Sequence, residues 1–409
     1  MSESLKCVMH GTMKTGELLK KGGPLVFVTR NLPPLVGGME NLGANICRIL
    51  EQEFELSIIG PNGCRRHFNK STVKECGFSS IYKFLFCSMA KVVFTAVRKQ
   101  PAIVFGGSGL MAPSVAFASR ISSAASICYL HGLDIIVPNP IYQSLFVPRF
   151  RQLDLLLVNS QNTARLAQEK GVVEDKIRVL HPCVEKEVQI PSTDVYTLRE
   201  KYDLNDRTIL LSVGRLAARK GLCEFVRDGL PLVKNSIDNV LLAVVGGEAS
   251  QAVEPSTGQV EMLREAANEL GLSDAIRIFN SVDDDTLEDL YQIADLFVFP
   301  GISRGGDVEG FGIVAVEAAA HGLPTVAFSV GGIPDAVQDS VSGYLIPPGD
   351  YERFANTIVQ HILEQRNRSM ESDCRNFARK FSPARFATQL IDYCREATEI
   401  RDHNVKTGR

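Results

Sequence analysis

DLFVFPGISRGGDVEGFGIVAVEAAAHGLPTVAFSV, Asp295 to Val330, is the stretch that decides the fold. It opens on an apolar run ending at Pro300 and passes through a polar, Gly-rich loop. It enters a helix at about Gly312 and leaves on a second apolar run, PTVAFSV. Strand, loop, helix, strand is the unit of a parallel sheet, and near-continuous apolar strands belong in a sheet covered on both faces. The unit recurs outward in both directions. PLVFVTR (24–30) leads through NLPPLVGG to the helical pattern MENLGANICRILEQE, and FELSIIG, AIVFGG, SICYLHG and LDLLLVNS follow. TILLSVGR, NVLLAVVGG, AIRIFNSV, DLFVFPG, PTVAFSV and SGYLIPPG form a second series. Between the two series, HPCVEKEVQIPSTDVYTLREKYDLNDR is charged, holds two prolines and has no long apolar run, which marks a linker near residues 185–206.

The expectation is an α/β chain of two Rossmann-like, doubly wound domains facing a central cleft. An extension occupies 1–23, an N-terminal domain 24–188 and a C-terminal domain 189–381. A closing helix over 382–409, with Ser382 at its N-cap and Pro383 at its first position, packs back on the N-terminal domain. Ligands of such sheets bind beyond the C-terminal ends of the strands. Composition fits this picture. Of 409 residues 45% are hydrophobic and 22% charged, ordinary for a globular chain, and 44 Lys and Arg against 47 Asp and Glu leave a net charge of −3. No global basic field exists to hold nucleic acid. Ten cysteines without a CxxC pair read as buried, reduced thiols and argue against zinc. No apolar run is long enough to span a bilayer, and the polar N-terminus lacks the apolar core of a signal peptide, so a cytoplasmic location is expected.

Chemistry concentrates at two turns. Backbone N–H groups of Gly310 to Gly312, at a helix N-terminus, make an anion site suited to a diphosphate. Glu309 on the loop and Glu317 on the helix suit hydroxyls, of which a carboxylate accepts two well; Glu317 is embedded in IVAVEAAA, where an unpaired charge is costly. In SVGRLAARKGL (212–222), Arg215 and Lys220 follow a strand end, and each charge-assisted hydrogen bond to a phosphate contributes about 1.5–3 kcal/mol. Arg219 reads as an ordinary surface charge. His131, at the end of SICYL and before Gly132, reads as a functional strand-end residue, and Asp134 as a cap of the next segment.

These residues resemble a known family. Glu309-x7-Glu317, the Arg215-x4-Lys220 pair and the Gly37-Gly38 turn in LPPLVGGMEN, in that order of strand ends, resemble the GT-B retaining glycosyltransferases of family 4. The loop SRGGDVEGFGIVAVEA is similar to the branch of phosphatidylinositol mannosyltransferases and related cell-envelope enzymes. The resemblance runs from Pro24 onward. It implies an acceptor domain followed by a donor domain. Arg215 and Lys220 would hold the donor diphosphate as it leaves, and Glu317 the ribose hydroxyls. Glu309 with the backbone of Gly310, Phe311 and Gly312 would bind the donor sugar. Gly37 and Gly38 would admit the diphosphate, His131 would face the transferred sugar, and the backbone of Ser281 and Val282 would touch the base. It implies a UDP- or GDP-sugar donor, no metal, no resident cofactor, retention by same-face attack, and a lipid-linked or glycan acceptor of envelope polysaccharide or glycolipid synthesis. The chain departs from the family in its N-terminal extension and in HPCVEKE, where an Asn-Gly-Val-Asp turn is common.

Three further signals are weighed on their own. Asp283 to Asp285 look like an acidic metal motif, but Asp285 with Glu288 fits a capping box. Gly107, Gly109 and Ala112 match a dinucleotide fingerprint, yet the acid expected about 20 residues on is absent, Tyr129 and Leu130 standing there; the loop is assigned to the acceptor side. Between 61 and 99, eight cations (65, 66, 70, 74, 83, 91, 98 and 99) face one acid, Glu75, and IYKFLFCSMAKVVFTAV places Phe84, Leu85, Met89, Val92 and Val93 at helical spacing. That basic helix suits an anionic membrane face, and hence a peripheral location on the inner face of the cytoplasmic membrane. Two other functions compete: a GT-B nucleotide-sugar 2-epimerase, which needs further cleft acids and histidines, and a non-catalytic nucleotide-sugar-binding membrane scaffold.

Overall fold

The computed structural model describes residues 22–77, 80–184, 194–247, 258–280, 282–304, 307–364 and 367–407. The expected extension thus lies outside the described residues up to position 21, as do Ser281 and residues 185–193 of the linker. Gly22 already belongs to the first strand.

Among the described residues, thirteen strands form two parallel sheets. The first holds β1 Gly22–Val28, β2 Phe54–Pro61, β3 Thr72–Cys76, β4 Ile103–Gly106, β5 Ala125–Leu130, β6 Leu155–Val158 and β7 Ile177–Val179, in the order 3-2-1-4-5-6-7. The second holds β8 Thr208–Val213, β9 Val240–Val245, β10 Ile276–Phe279, β11 Leu296–Phe299, β12 Thr325–Phe328 and β13 Gly343–Ile346, in the order 10-9-8-11-12-13. Each order reverses once, between β1 and β4 and between β8 and β11. The crevice at such a reversal is where an open sheet takes its ligand. These are the two Rossmann-like, doubly wound domains expected from the sequence.

Alternation along the first sheet explains its layers, because successive strand side chains point to opposite faces. Leu25, Phe27, Phe105, Ile127 and Tyr129 pack with Leu42, Ile46 and Leu50 of α1 (Gly38–Glu53). Val26, Val28, Val104, Cys128 and Leu130 face Phe84, Val92 and Ala96 of α2 (Ile81–Lys99) and Val115 of α3 (Ala112–Ser122). The other helices that matter here are α4 (Gln161–Glu169), α5 (Asp284–Ile293), α6 (Ile313–Ala320) and α7 (Pro383–Thr407). The second domain closes one core around β8 to β13.

Three readings are corrected in detail. The latter half of the expected linker is folded: helix Val195–Lys201 packs on α5, with Lys201 and Tyr202 both on Asp289. Asp283, not Asp285, caps α5, its carboxylate accepting from the Thr286 amide at 2.8 Å. Glu288 binds His321 instead of closing a capping box. The nine described cysteines are free thiols, eight of them buried.

Helix α7 crosses back to the first domain. Phe386, Leu390, Ile391, Cys394 and Ala397 join its core, and Glu396 pairs with Arg178 of β7. The two passages between domains lie side by side, the Val184 amide donating to the Phe381 carbonyl at 3.0 Å.

Candidate active site

The loops that leave β8 and β11 are locked together. After β8 comes Gly214, then Arg215, then a short turn carrying Arg219 and Lys220. Gly221 has φ +66°, and a Cβ there would lie 1.9 Å from the Pro300 carbonyl oxygen, so only glycine lets the two strand-end loops touch. The Ile302 amide completes the seam by donating to the Arg219 carbonyl at 2.8 Å.

This seam aims cations at Glu309. Lys220 Nζ lies 2.9 Å from Glu309 Oε2 and 4.5 Å above the centre of the Phe299 ring. Arg219 Nε lies 3.5 Å from the same oxygen, and its Nη1 is 3.6 Å from Asp307. Arg219 is therefore no surface charge, being only 13% exposed. The turn through 218–220 is 3-10, which turns both of its cations toward the loop. Burial pushes the Glu309 pKa up, but Lys220, Arg219 and Arg215 outweigh it and hold the carboxyl below the ordinary glutamate range. Arg215 itself is exposed.

Gly310 to Gly312 run from Glu309 into α6. Gly312 caps the helix with φ +93°. The Phe311 side chain does not face a ligand. It is buried, stacked on His181 with centroids 5.1 Å apart and packed on Phe381, so it anchors the loop to the interdomain seam. Glu317, on α6, is half-buried between Val316 and Ala318, and Tyr291 of α5 donates its hydroxyl to Glu317 Oε2 at 3.2 Å. Val282, just before α5, is half-buried against the core.

The first domain meets this loop from across the cleft. A methyl group on Gly310 would sit 2.5 Å from the His131 carbonyl oxygen and 2.8 Å from Asn159 Nδ2. His131 ends β5. Its Nε2 is 2.9 Å from the Gly107 carbonyl, and its amide donates to Asp134 Oδ2 at 3.0 Å. The Gly107 loop, assigned to the acceptor side, thus orients the His131 ring, and Asp134 fixes the turn beneath it. Gly107 in turn donates its amide to Val28 of β1. Gly37 and Gly38 lie at the same strand-end edge, at the start of α1. A Cβ on Gly38 would meet nothing within 4 Å, which leaves that side open to a ligand. Asp335 of the second domain accepts from the Gln161 amide at the start of α4 and lies 4.0 Å from His181.

The structure thus gathers Arg219, Lys220, Asp307 and Glu309 into one cluster and sets His131 against Gly310. It places Glu317 on a separate support. The reading of single residues missed Tyr291, Asn159 and Asp307. Tyr291 lies 26 positions from Glu317, a separation that carries no periodic signal. A cavity of about 400 Å³ lies far from these groups, at the N-terminal strand ends of the first sheet beside α7, lined by Phe54, Ala102 and Arg401 among others.

Comparison with known proteins follows the same division. Residues 36–188 match the family model Glycosyltransferase Family 4, and residues 194–381 match Glycosyl transferases group 1. A D-inositol 3-phosphate glycosyltransferase of Corynebacterium aurimucosum is 31% identical over 60% of this chain and 58% of its own length. A GDP-mannose-dependent alpha-(1-6)-phosphatidylinositol monomannoside mannosyltransferase of Mycolicibacterium smegmatis is 24% identical over 84% of this chain and 90% of its own. Over the relatives above 30% identity the match spans about half of their length. Anabaena Alr3699/HepE, solved with UDP-glucose, superposes with a TM-score of 0.75 at 19% identity, covering 91% of this chain and 99% of that one. Two family models in succession, on the two domains whose strand-end loops build the cluster, show a family 4 glycosyltransferase domain at 36–188 followed by a group 1 glycosyl transferase domain at 194–381 in this chain.

Proposed function

We propose that this chain is a retaining glycosyltransferase that moves a sugar from a UDP- or GDP-sugar to a lipid-linked or glycan acceptor of cell-envelope synthesis, without a metal ion. The observation that carries the reading is the buried cluster of Lys220, Arg219 and Glu309 at the reversal point of the second sheet, with Gly310, next on the same loop, set against the His131 carbonyl. In this reading Lys220 and Arg215 take the donor diphosphate, and the α6 N-terminus adds backbone donors. Negative charge develops on the leaving oxygen as the glycosidic bond breaks, and fixed cations stabilise it without reorganising at that moment. Glu309, with the backbone of Gly310, Phe311 and Gly312, binds sugar hydroxyls. Glu317 accepts from the ribose diol, and Val282 borders the base. Gly37 and Gly38 let the first loop approach the diphosphate. His131 faces the sugar, its ring held by Gly107. The relatives' printed names support both donor bases: GDP-mannose for the mycobacterial mannosyltransferase, UDP-glucose for the Anabaena structure.

The acceptor side of the proposal includes an anionic membrane surface contacted by residues 61–99. Tyr82, Phe86, Phe94 and Val97 form an exposed stripe along α2, flanked by exposed Lys83 and Arg98. The core side of α2 is formed by Phe84, Ser88, Val92, Thr95 and Ala96. Not every cation of the segment serves the surface. Lys74 binds Thr95, Lys91 binds the Glu75 carbonyl and Lys99 binds Glu55. No helix among the described residues is long and apolar enough to cross a membrane.

The deciding experiment is thermal stabilisation by UDP, GDP, ADP and CMP, first without and then with magnesium. A shift with UDP or GDP in the absence of metal is expected and names the donor base. No shift with any of the four would show that the cleft takes no nucleotide and would overturn this function.

A further inference from the structure

Behind the cleft, Glu317 is backed by three side chains that the reaction above does not use. Tyr291 of α5 is buried, and its hydroxyl donates to Glu317 Oε2 at 3.2 Å. The His321 ring stacks on the Tyr291 ring, centroids 4.7 Å apart and planes 14° apart. His321 Nδ1 lies 2.8 Å from the Glu317 main-chain oxygen, and Nε2 lies 2.6 Å from the Glu288 carboxylate. Burial and the neighbouring Glu317 charge push the Tyr291 phenol far up, so it keeps its proton and remains a donor. The α6 residues around Glu317, namely Ala315, Val316, Ala318 and Ala319, are buried and offer no polar side chain to orient it.

We propose that Tyr291 is a positioning residue that fixes the Glu317 carboxylate for the ribose diol of a nucleotide, with His321 and Glu288 holding the Tyr291 ring in place. The site's preference for ribonucleotides over deoxynucleotides then depends on a side chain that never touches the nucleotide. The physical reason is preorganisation. A carboxylate must accept from two adjacent hydroxyls in one plane, and a free rotor loses that orientation on binding. The proposal rests on the reading of Glu317 as the ribose-binding carboxylate.

The test uses the full chain and titration calorimetry with GDP and UDP, each beside its 2′,3′-dideoxy counterpart. Wild type is expected to prefer the ribose form. Tyr291→Phe keeps the ring and its stack and removes only the hydroxyl. It is expected to bind the ribonucleotide about five- to tenfold more weakly while leaving the dideoxy form unchanged, so the two affinities converge. A Phe variant that keeps the full preference overturns the proposal. So does an equal loss for both forms, which would mark a purely structural role. Glu288→Gln, at a side chain 36% exposed, is the second variant, expected to converge the two affinities in the same direction by a smaller factor. If Tyr291→Phe does not fold, an unchanged preference in Glu288→Gln overturns the proposal. A wild type that binds neither form, or both alike, removes the Glu317 reading itself and this proposal with it, and is recognised before any variant is made.

Discussion

At the scale of single residues, Glu309 governs the charge balance of the cleft. It is a largely buried carboxylate kept ionised by Lys220 and Arg219, so with Asp307 two cations and two carboxylates share a small volume before any ligand arrives. A diphosphate entering that volume competes with Glu309 for Lys220, and Arg219 remains as the partner that Glu309 keeps. The pH consequence has a definite sign. The Glu309 pKa is depressed on folding, so its stabilising contribution is complete above the ordinary glutamate range and is lost as pH falls through the depressed value. Lys220→Ala leaves the burial and removes the nearest cation. Its acid-side loss of Tm is expected to begin at a higher pH than in wild type, and sugar transfer to fall by about 10²-fold or more while far-UV circular dichroism stays unchanged. A wild-type acid limb in that variant would assign the balance to the two arginines. The family motif pointed to Glu309 and Lys220 in the sequence, but Arg219 was misread. Nothing in LAARKGL shows which way a residue in a short 3-10 turn faces until the Pro300 and Ile302 contacts fix that turn.

At the scale of elements, α2 carries two faces of different character. Phe84, Val92 and Ala96 seal one side of the first sheet, while Tyr82 and Phe86 stand 73% and 81% exposed. Large apolar side chains left in water beside cations are costly for a protein with no partner for them. Tyr82→Ser with Phe86→Ser is expected to abolish co-sedimentation with vesicles containing anionic phospholipid and to leave Tm within about 1–2 °C, since neither side chain is in the core. Equal binding to purely zwitterionic vesicles would remove the electrostatic part. The basic segment and its helical spacing were legible in the sequence. The solvent-facing stripe was not, because it consists of three aromatic residues and a valine that lie between the core positions. Strands show the same division. Buried strands such as LFVF and LLLV announce themselves by composition, whereas β3 (TVKEC) and β7 (IRV) do not, because edge strands carry charge and need cover on fewer sides. Helix Val195–Lys201 was read as linker because Leu198 is its one buried residue and its ion-pair partners, Asp289 and Asp295, lie on distant stretches of sequence.

At the scale of the whole molecule, two adjacent passages of chain join the two domains, and α7 belongs structurally to the domain at the opposite end of the sequence. Its Phe386, Leu390 and Ile391 cover the sheet face of Leu25, Phe27, Phe105 and Ile127, a contribution of about 1.5–3 kcal/mol for each large side chain. Deleting 383–407 is expected to speed amide exchange across β1, β4 and β5 by orders of magnitude while β8 and β11 keep their protection, as hydrogen exchange with mass spectrometry can resolve. Uniform loss of protection would mean the domains unfold as one unit. Synthesis runs from the N-terminus, and domains generally fold as they emerge. Here the first domain to leave the ribosome lacks one of its walls until the final helix is made. It waits with an open apolar face while the second domain, made later, has every strand it needs. The order of completion therefore reverses the order of translation, and the interval between the two is when a nascent chain of this protein has most need of a chaperone.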